Sequence, residues 1–174
     1  MSDSINPYAP PHADVLPPID PSKYERLATP WRRLGACIID TLILLVVLVP
    51  IIWFSGSMTR ILEGEEQGFG VSLEQIVWAM VSFTVYLILN WNALEQGQTI
   101  GKRALELRVV SKDGQPVTRS HIILKRSLPL HLLSLIPYGG NTIATIDSLL
   151  IFRPNRNTAH DDFAGTKVVD LRPL

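Results

Sequence analysis

The chain has 174 residues, of which 47% are hydrophobic and 18% are charged, and its formal net charge at pH 7 is zero. A soluble domain has about 25% charged residues, so this composition argues against a soluble globular protein and against a disordered chain. The zero net charge gives no support for nucleic-acid binding. A single cysteine, Cys37, excludes an intrachain disulfide framework and a cysteine-based zinc site.

The N-terminus is rich in proline. Residues 1–30 hold seven of the thirteen prolines, and proline lacks the amide that a helix interior or a central strand requires. We therefore predict a disordered tail over residues 1–23, followed by one membrane domain over residues 24–170. The tail lacks the basic start and the apolar run of a secretory signal peptide.

Two apolar runs follow, and we predict a helix over about residues 33–54 and another over about residues 75–94. The first run, residues 34–54, carries one charge, Asp40, and the second, residues 76–94, carries none. At 1.5 Å per residue the runs extend about 31 Å and about 28 Å, close to the roughly 30 Å of a bilayer's hydrocarbon core. Trp31 and Trp53 lie near the ends of the first run, as interfacial aromatic residues do.

The third apolar region is interrupted by Pro129 and by the segment 137–141. Its pieces, 127–136 and 141–152, are each too short to cross a bilayer. A single crossing would place four C-terminal basic residues outside, against the positive-inside rule. This pattern favours a hairpin of short helices over about residues 121–152 that re-enters the same leaflet, although a crossing stays open.

A β-hairpin is predicted over about residues 104–119, because apolar and charged residues alternate before the turn dipeptide Asp113-Gly114. A C-terminal strand over about residues 165–170 can pair with it. All but one of the 16 basic residues lie on the segments that this topology places inside, so both termini are predicted to be cytoplasmic. The predicted fold is an α-helical integral membrane protein with two transmembrane helices, an intramembrane helical hairpin and a small cytoplasmic β-element.

Polar residues inside the apolar runs are the candidate functional residues. Asp40 lies about 13 Å beyond Trp31 along the helix, near the midplane, where an ionised carboxylate costs about 2.5–3.5 kcal/mol. It must therefore find a partner, face water or carry a proton. The alternative, that these groups only hold helices together, is equally compatible with the pattern. The candidate ion pathway or polar core comprises Arg33, Asp40, Ser82, Tyr86, Asn90 and Asp147.

The remaining polar motifs do not predict a catalytic or metal-binding site. His160, Asp161 and Asp162 are interpreted as a surface loop with carboxylates paired to arginines, and no metal site is predicted. Lys102 follows a glycine-rich turn after the second helix and is expected to face lipid headgroups. No phosphate-binding loop, hydrolase motif, metalloprotease motif or dinucleotide fingerprint is present in the sequence, so we predict no enzymatic activity and no cofactor.

Three segments in order resemble the RDD family of small bacterial membrane proteins, named for one arginine and two aspartates. They are Trp31–Asp40, Gly97–Val110 and Thr158–Val169. The resemblance assigns Arg33, Asp40 and Asp161 to the family residues and makes His160 part of the C-terminal motif. Arg32 and Asp162 are the neighbouring alternatives. The resemblance implies a membrane protein for which transport of unidentified ligands is suggested.

We therefore expect a multi-pass protein of the bacterial inner membrane that transports a small cation or proton, or supports such transport. Asp40 would bind or relay the ion, Arg33 would tune it, and Asp161 would act at the cytoplasmic mouth. The partners would be the lipid bilayer and a second copy or another membrane protein. The alternative is a non-transporting accessory or assembly module. Arg33 is further hypothesised to pair with Asp161, against the alternative that it reaches lipid phosphate.

Overall fold

The computed structural model describes residues 26–63, 72–133, 135–136 and 140–172. Within these ranges the chain is mostly helical and has one two-stranded sheet. The predicted disordered tail at 1–23 lies outside the described residues. So does most of the predicted break at 137–141.

Two long helices dominate, α1 (Pro30–Phe54) and α3 (Leu73–Glu95). Pro30 begins α1, where its missing amide would have had no helical partner. Ser72 begins α3 through a capping box with Gln75. Both helices are long and apolar enough to span a membrane, and only 6% and 11% of their most apolar windows are buried. A core helix of a soluble protein would be largely buried, so these helices are candidate membrane spans.

Three short helices lie where turns or loops were expected. They are α2 (Ser57–Glu63), α4 (Ile100–Ala104) and α8 (Ala159–Ala164). Thr99 and Thr158 cap the last two by accepting a hydrogen bond from an amide three residues later. Gly165 ends α8 in the left-handed conformation, at φ 65°. The interpretation of residues 155–162 as a surface loop is therefore wrong, because this local capping builds a helix with a buried face.

The sheet pairs strand β1 (Leu107–Ser111) with strand β2 (Thr166–Asp170) in antiparallel register, with Leu107 opposite Asp170. The return strand predicted after Asp113-Gly114 does not form beyond a single bridge between Val110 and Pro116. Pro116 cannot donate to a ladder, and Thr118 already caps the next helix. Val110 also pairs with Lys167, so the C-terminal strand lies along the edge of β1 opposite to Pro116.

Residues 26–28 line the other edge of β2. The Ala28 amide donates to the Val168 carbonyl at 3.0 Å, and the Asp170 amide donates to the Arg26 carbonyl at 3.0 Å. The C-terminal strand is therefore held between β1 and the residues that lead into α1. This pairing fixes the start of α1 against the end of the chain.

The region predicted as a hairpin of short helices has a longer first arm than expected. A continuous helical stretch runs through α5 (Arg119–His121), a π-helix (Ile122–Ser127) and α6 (Leu128–Leu133). The second arm is α7 (Gly140–Leu149), continued by a 3₁₀ turn (Leu150–Phe152). The π-helix ends at Ser127, two residues before Pro129, whose missing amide cannot continue its hydrogen bonds.

The buried core lies around the sheet and not between the two long helices. Eight buried apolar residues form one cluster there, and the end of α3 contributes Leu94 to it. Helix α4 packs directly on α1, and a Cβ at Gly101 would collide with the Ala36 carbonyl oxygen. Glycine therefore sets how closely α4 approaches the middle of α1. The cluster is Ala28, Ala36, Leu94, Leu107, Val109, Val117, Ile122 and Val168.

Candidate functional site

A buried aspartate holds two arginines from distant elements together. Arg33 of α1 donates through Nη2 to Asp161 Oδ2, and Arg126 of the π-helix forms an ion pair with Asp161 Oδ1. The Asp161 side chain is 0% exposed and each arginine side chain is 7% exposed. Arg33 also donates to the Arg156 carbonyl, and Arg126 donates to Thr166 Oγ1 at 3.0 Å. We call Arg33, Asp161 and Arg126 the inner triad.

The hypothesis that Arg33 pairs with Asp161 therefore agrees with the geometry, and the arginine does not extend to lipid phosphate. The surface-loop interpretation of Asp161 is wrong, because its partners are Arg33 and Arg126. Burial by itself raises the pKa of Asp161, but Arg126 and Arg33 outweigh burial and hold that pKa well below its usual range. The carboxylate is therefore ionised at neutral pH.

A second aspartate repeats this arrangement nearer the surface. Arg32 donates to Asp170 Oδ2 at 2.6 Å, and Arg172 donates to the same oxygen at 2.8 Å. The Asp170 side chain is 0% exposed, whereas the side chains of Arg32 and Arg172 are 18% and 45% exposed. The hydrogen bond from Arg172 is the main reason that the pKa of Asp170 lies below its usual range. We call Arg32, Asp170 and Arg172 the outer triad.

Asp40 binds the segment between α3 and α4. Its Oδ2 accepts from Thr99 Oγ1, and its Oδ1 accepts from the Gly101 amide at 2.7 Å. Asn90 adds a second contact, since its Oδ1 accepts from the Ile100 amide at 2.8 Å. The midplane carboxylate predicted from the sequence is therefore satisfied by a polar segment that packs into α1.

Asp40 also lines a cavity of about 330 Å³. The cavity lies between α1, the arm formed by the π-helix and α6, and the segment around α8. Three cationic side chains line it together with the one carboxylate of Asp40. The full lining is Arg33, Leu34, Cys37, Asp40, Thr41, Leu44, Tyr86, Thr99, Lys102, Arg126, Ser127, Leu130, His131, Ser148, Ile151, Thr158 and His160.

Lys102 points into this cavity, so the expectation that it faces lipid headgroups on the outer surface is wrong. Burial is the largest influence on Lys102 and lowers its pKa, and Arg126 lowers it further. Asp40 acts in the opposite direction, and the resulting pKa is about 8. Within the part of the chain that the structure describes, its ammonium group has no hydrogen bond or ion pair. Lys102 is therefore a cation that can change its charge near neutral pH.

Asp147 connects the second hairpin arm to α8. Its Oδ2 contacts His160 Nδ1, and its Oδ1 accepts from the His160 amide at 3.1 Å. His160 Nε2 lies 3.2 Å from Thr158 Oγ1. Burial lowers the pKa of His160 despite the opposing effect of Asp147. The histidine ring thus sits between the hairpin and the inner triad.

The three α3 residues of the predicted polar core, Ser82, Tyr86 and Asn90, have different surroundings. Tyr86 lines the cavity, and its hydroxyl lies 3.3 Å from Ser127 Oγ. Ser82 donates to the Ala79 carbonyl of its own helix at 3.0 Å, and Asn90 holds the segment after α3. Arg33, Asp40 and Tyr86 are therefore brought to one cavity. Ser82, Asn90 and Asp147 are not among the residues lining it.

The sequence pattern does not predict that Arg126 and Lys102 line the cavity. It assigns no site role to Arg126, and it predicts that Lys102 faces lipid headgroups. The available signal was that each is a basic residue near an apolar segment, which does not distinguish an interfacial cation from an inward-facing one. Among the described residues, no group of three or more His, Cys, Asp or Glu side chains is placed to hold a metal ion.

Comparison with known proteins gives two matches. The model of the RDD family matches residues 27–165. A Bacillus subtilis (strain 168) protein, described as the uncharacterized protein YckC, is 30% identical over 143 residues, which cover 82% of this chain and 84% of that protein. No solved structure matches the chain.

Proposed function

Since this chain belongs to the RDD family of membrane proteins, we propose that it carries a proton across the bacterial inner membrane, or supports such transport. The observation that carries the proposal is that Asp40 and Lys102 line one cavity beside α1. Lys102, with a pKa of about 8, can exchange a proton with water, and Asp40 supplies a carboxylate in the same cavity. The proposal involves no chemical reaction and no cofactor.

A proton fits this cavity better than a metal cation does. Three cationic side chains, Arg33, Lys102 and Arg126, line it, and both oxygens of Asp40 already accept hydrogen bonds from the chain. A sodium or potassium ion would meet repulsion from the cations and would have to displace those donors. A proton needs only a lone pair, which neutral Lys102 offers, and it displaces no hydrogen-bond donor.

The proposed topology has two crossings, α1 and α3, and both termini in the cytoplasm. The base count supports this orientation. The pairing of β1 with β2 adds that residues 107–111 and 166–170 share one side. On this topology the inner triad lies at the cytoplasmic end of α1. Reporter fusions at residue 174 and within 60–68 test it, and a periplasmic signal from residue 174 would contradict it.

Two spanning helices leave much apolar surface uncovered, which supports an assembly in the membrane. Exposed large side chains extend along both helices, for example Val46 at 75% and Ile88 at 70%. We propose that a second copy of the chain or another membrane protein covers part of this surface. The non-transporting accessory module is the competing function, and the following experiment separates the two.

The test measures dissipation of a pH gradient in liposomes that contain only the purified protein. Wild-type vesicles are expected to lose the gradient faster than empty vesicles, and Lys102→Gln or Asp40→Asn should abolish the difference. Lys125→Gln is the matched control, because Lys125 is an exposed lysine on the same arm as Arg126. It should transport like the wild type.

Thermal unfolding of each variant in detergent shows whether a variant that has lost proton flux is still folded. Parallel gradients of Na⁺ and K⁺ test the metal cations. Wild-type vesicles as tight as empty ones in all three gradients would contradict transport and favour the accessory function. Full flux in a folded Asp40→Leu variant would remove Asp40 from the pathway.

A further inference from the structure

The charged side chains that line the cavity beside α1 are mostly cations. Arg33, Lys102 and Arg126 line it, and Asp40 is the one carboxylate among its lining residues. Asp161 pairs with Arg33 and Arg126 from outside the lining, and Asp147 contacts His160. A cavity of this kind in a low-dielectric environment attracts an anion.

The cavity also contains donors that the described chain does not use. The Lys102 ammonium has no hydrogen-bond or ion-pair partner among the described residues. Arg126 uses Nη1 for both Asp161 and Thr166, so its Nη2 has no partner in that part of the chain. Ser127 lies next to it with its hydroxyl 3.3 Å from the Tyr86 hydroxyl. Ammonium, guanidinium and hydroxyl donors are the groups that bind phosphate and carboxylate oxygens.

The backbone conformation supports a binding role for Arg126 and Ser127. Arg126 and Ser127 are the last residues of the π-helix Ile122–Ser127, and both are buried. Short π-helical segments are rare and frequently occur at functional sites, because the wider turn re-aims its side chains. Here the π-helix ends at the cavity with both residues in its lining.

Part of the remaining wall is apolar. This part consists of four side chains from α1, α6 and the 3₁₀ turn, which lie among polar lining residues such as Thr41 and Ser148, and the cavity is partly open. A free inorganic anion would leave this wall in contact with water, whereas a hydrocarbon chain attached to the anion would cover it. The apolar lining residues are Leu34, Leu44, Leu130 and Ile151.

We propose that the cavity binds the oxyanion headgroup of an anionic amphiphile, a membrane lipid with a phosphate monoester or a carboxylate. Lys102 and Arg126 bind the oxyanion, and the apolar wall receives the first part of the hydrocarbon chain. The inference goes beyond the proposed proton pathway and concerns binding alone. It therefore holds whether or not a proton crosses the membrane.

The test uses the delipidated full-length protein in a neutral detergent and follows alkylation of Cys37. This is the chain's single cysteine, and it is exposed and lines the cavity. Dioctanoyl phosphatidic acid is expected to slow alkylation in a saturable manner. Dioctanoyl phosphatidylcholine, with the same chains and a zwitterionic headgroup, and inorganic phosphate, with no chains, should have no such effect at equal concentration.

Variants locate the site. Lys102→Gln should weaken the phosphatidic acid effect at least tenfold, whereas Lys125→Gln should leave it unchanged. If phosphatidylcholine protected Cys37 from alkylation equally well, recognition of an anionic headgroup would be wrong. If inorganic phosphate protected Cys37 equally well, the requirement for a hydrocarbon chain would be wrong. Absence of protection by phosphatidic acid in the wild-type protein overturns the proposal without any variant. The liposome flux assay tests the proton pathway separately. If phosphatidic acid binds but no proton flux is found, the proposed proton transport is wrong and the proposed lipid binding is not.

Discussion

The inner and outer triads share one design and differ in burial. Each places one fully buried aspartate between two arginines, and one arginine of each pair comes from the same turn of α1, at Arg33 and Arg32. In the inner triad both arginines are buried with the aspartate, whereas in the outer triad Arg172 is 45% exposed. Both triads have two arginines on one aspartate, so the number of ion pairs does not set their importance. What matters is whether water can replace a lost partner.

Loss of the inner aspartate should have the largest effect. Asp161→Ala leaves Arg33 and Arg126 buried without a counter-charge, so we expect a loss of about 3–5 kcal/mol in the free energy of unfolding. Denaturation in mixed micelles measures it. The adjacent Asp162→Ala is the control, because Asp162 contacts Lys112 at 3.4 Å with both side chains largely exposed. It should cost less than about 1 kcal/mol. Similar losses in the two variants would contradict the comparison.

The next effect tests the geometry of Arg33. Its two Nη groups reach Asp161 and the Arg156 carbonyl at once, and lysine has one nitrogen for both. Arg33→Lys should therefore cost about 1–3 kcal/mol although the charge is kept. A double-mutant cycle with Asp161→Asn should give a coupling of about 1 kcal/mol or more. Additive effects would mean that Arg33 and Asp161 do not interact.

The outer aspartate should matter less. Asp170→Ala frees Arg32 and Arg172, and solvent already reaches both side chains, Arg172 most of all. We expect a loss of about 1–2 kcal/mol, measured by the same denaturation. A loss as large as that of Asp161→Ala would show that burial of the arginines is not the deciding difference.

Acidification tests whether the charge of the Asp170 carboxylate causes the stabilisation by the outer triad. The pKa of Asp170 is lowered in the folded chain, so its stabilisation is present above the unfolded pKa of about 4 and is lost as the pH falls below it. The destabilisation caused by Asp170→Asn should be full at pH 7 and should shrink below about pH 4. A destabilisation that stays constant down to pH 3 would show that the carboxylate charge is not its cause.

The sequence predicted the parts of the fold that depend on local pattern. Both long helices followed from apolar runs whose length matches a bilayer, and the C-terminal strand followed from its short β-branched segment. Membership of the RDD family, expected from three motifs, was confirmed. The return strand after Asp113 was wrong, because Pro116 lacks a donor and Thr118 caps a helix.

The site was harder to predict because its contacts join distant parts of the chain. Arg33 and Asp161 are 128 residues apart, and their pairing was hypothesised only because a family resemblance selected both. Nothing near Arg126 or Lys102 in the sequence separates a cation that faces a cavity from one that faces lipid. Ser82 and Asn90 share a helix face with Tyr86, but helical spacing does not reveal which neighbour each side chain contacts.

The position of β2 between β1 and residues 26–28 has a consequence for how the protein is made. A ribosome that adds about 5–20 residues per second needs roughly 6–26 s to reach Asp161 after Arg33 has been synthesised. During that time α1 has no acidic partner from the C-terminal motif, and its two arginines depend on water and lipid phosphate. The last strand then joins β1 and residues 26–28, so a polypeptide truncated before Asp161 would carry Arg32 and Arg33 without their carboxylate partners.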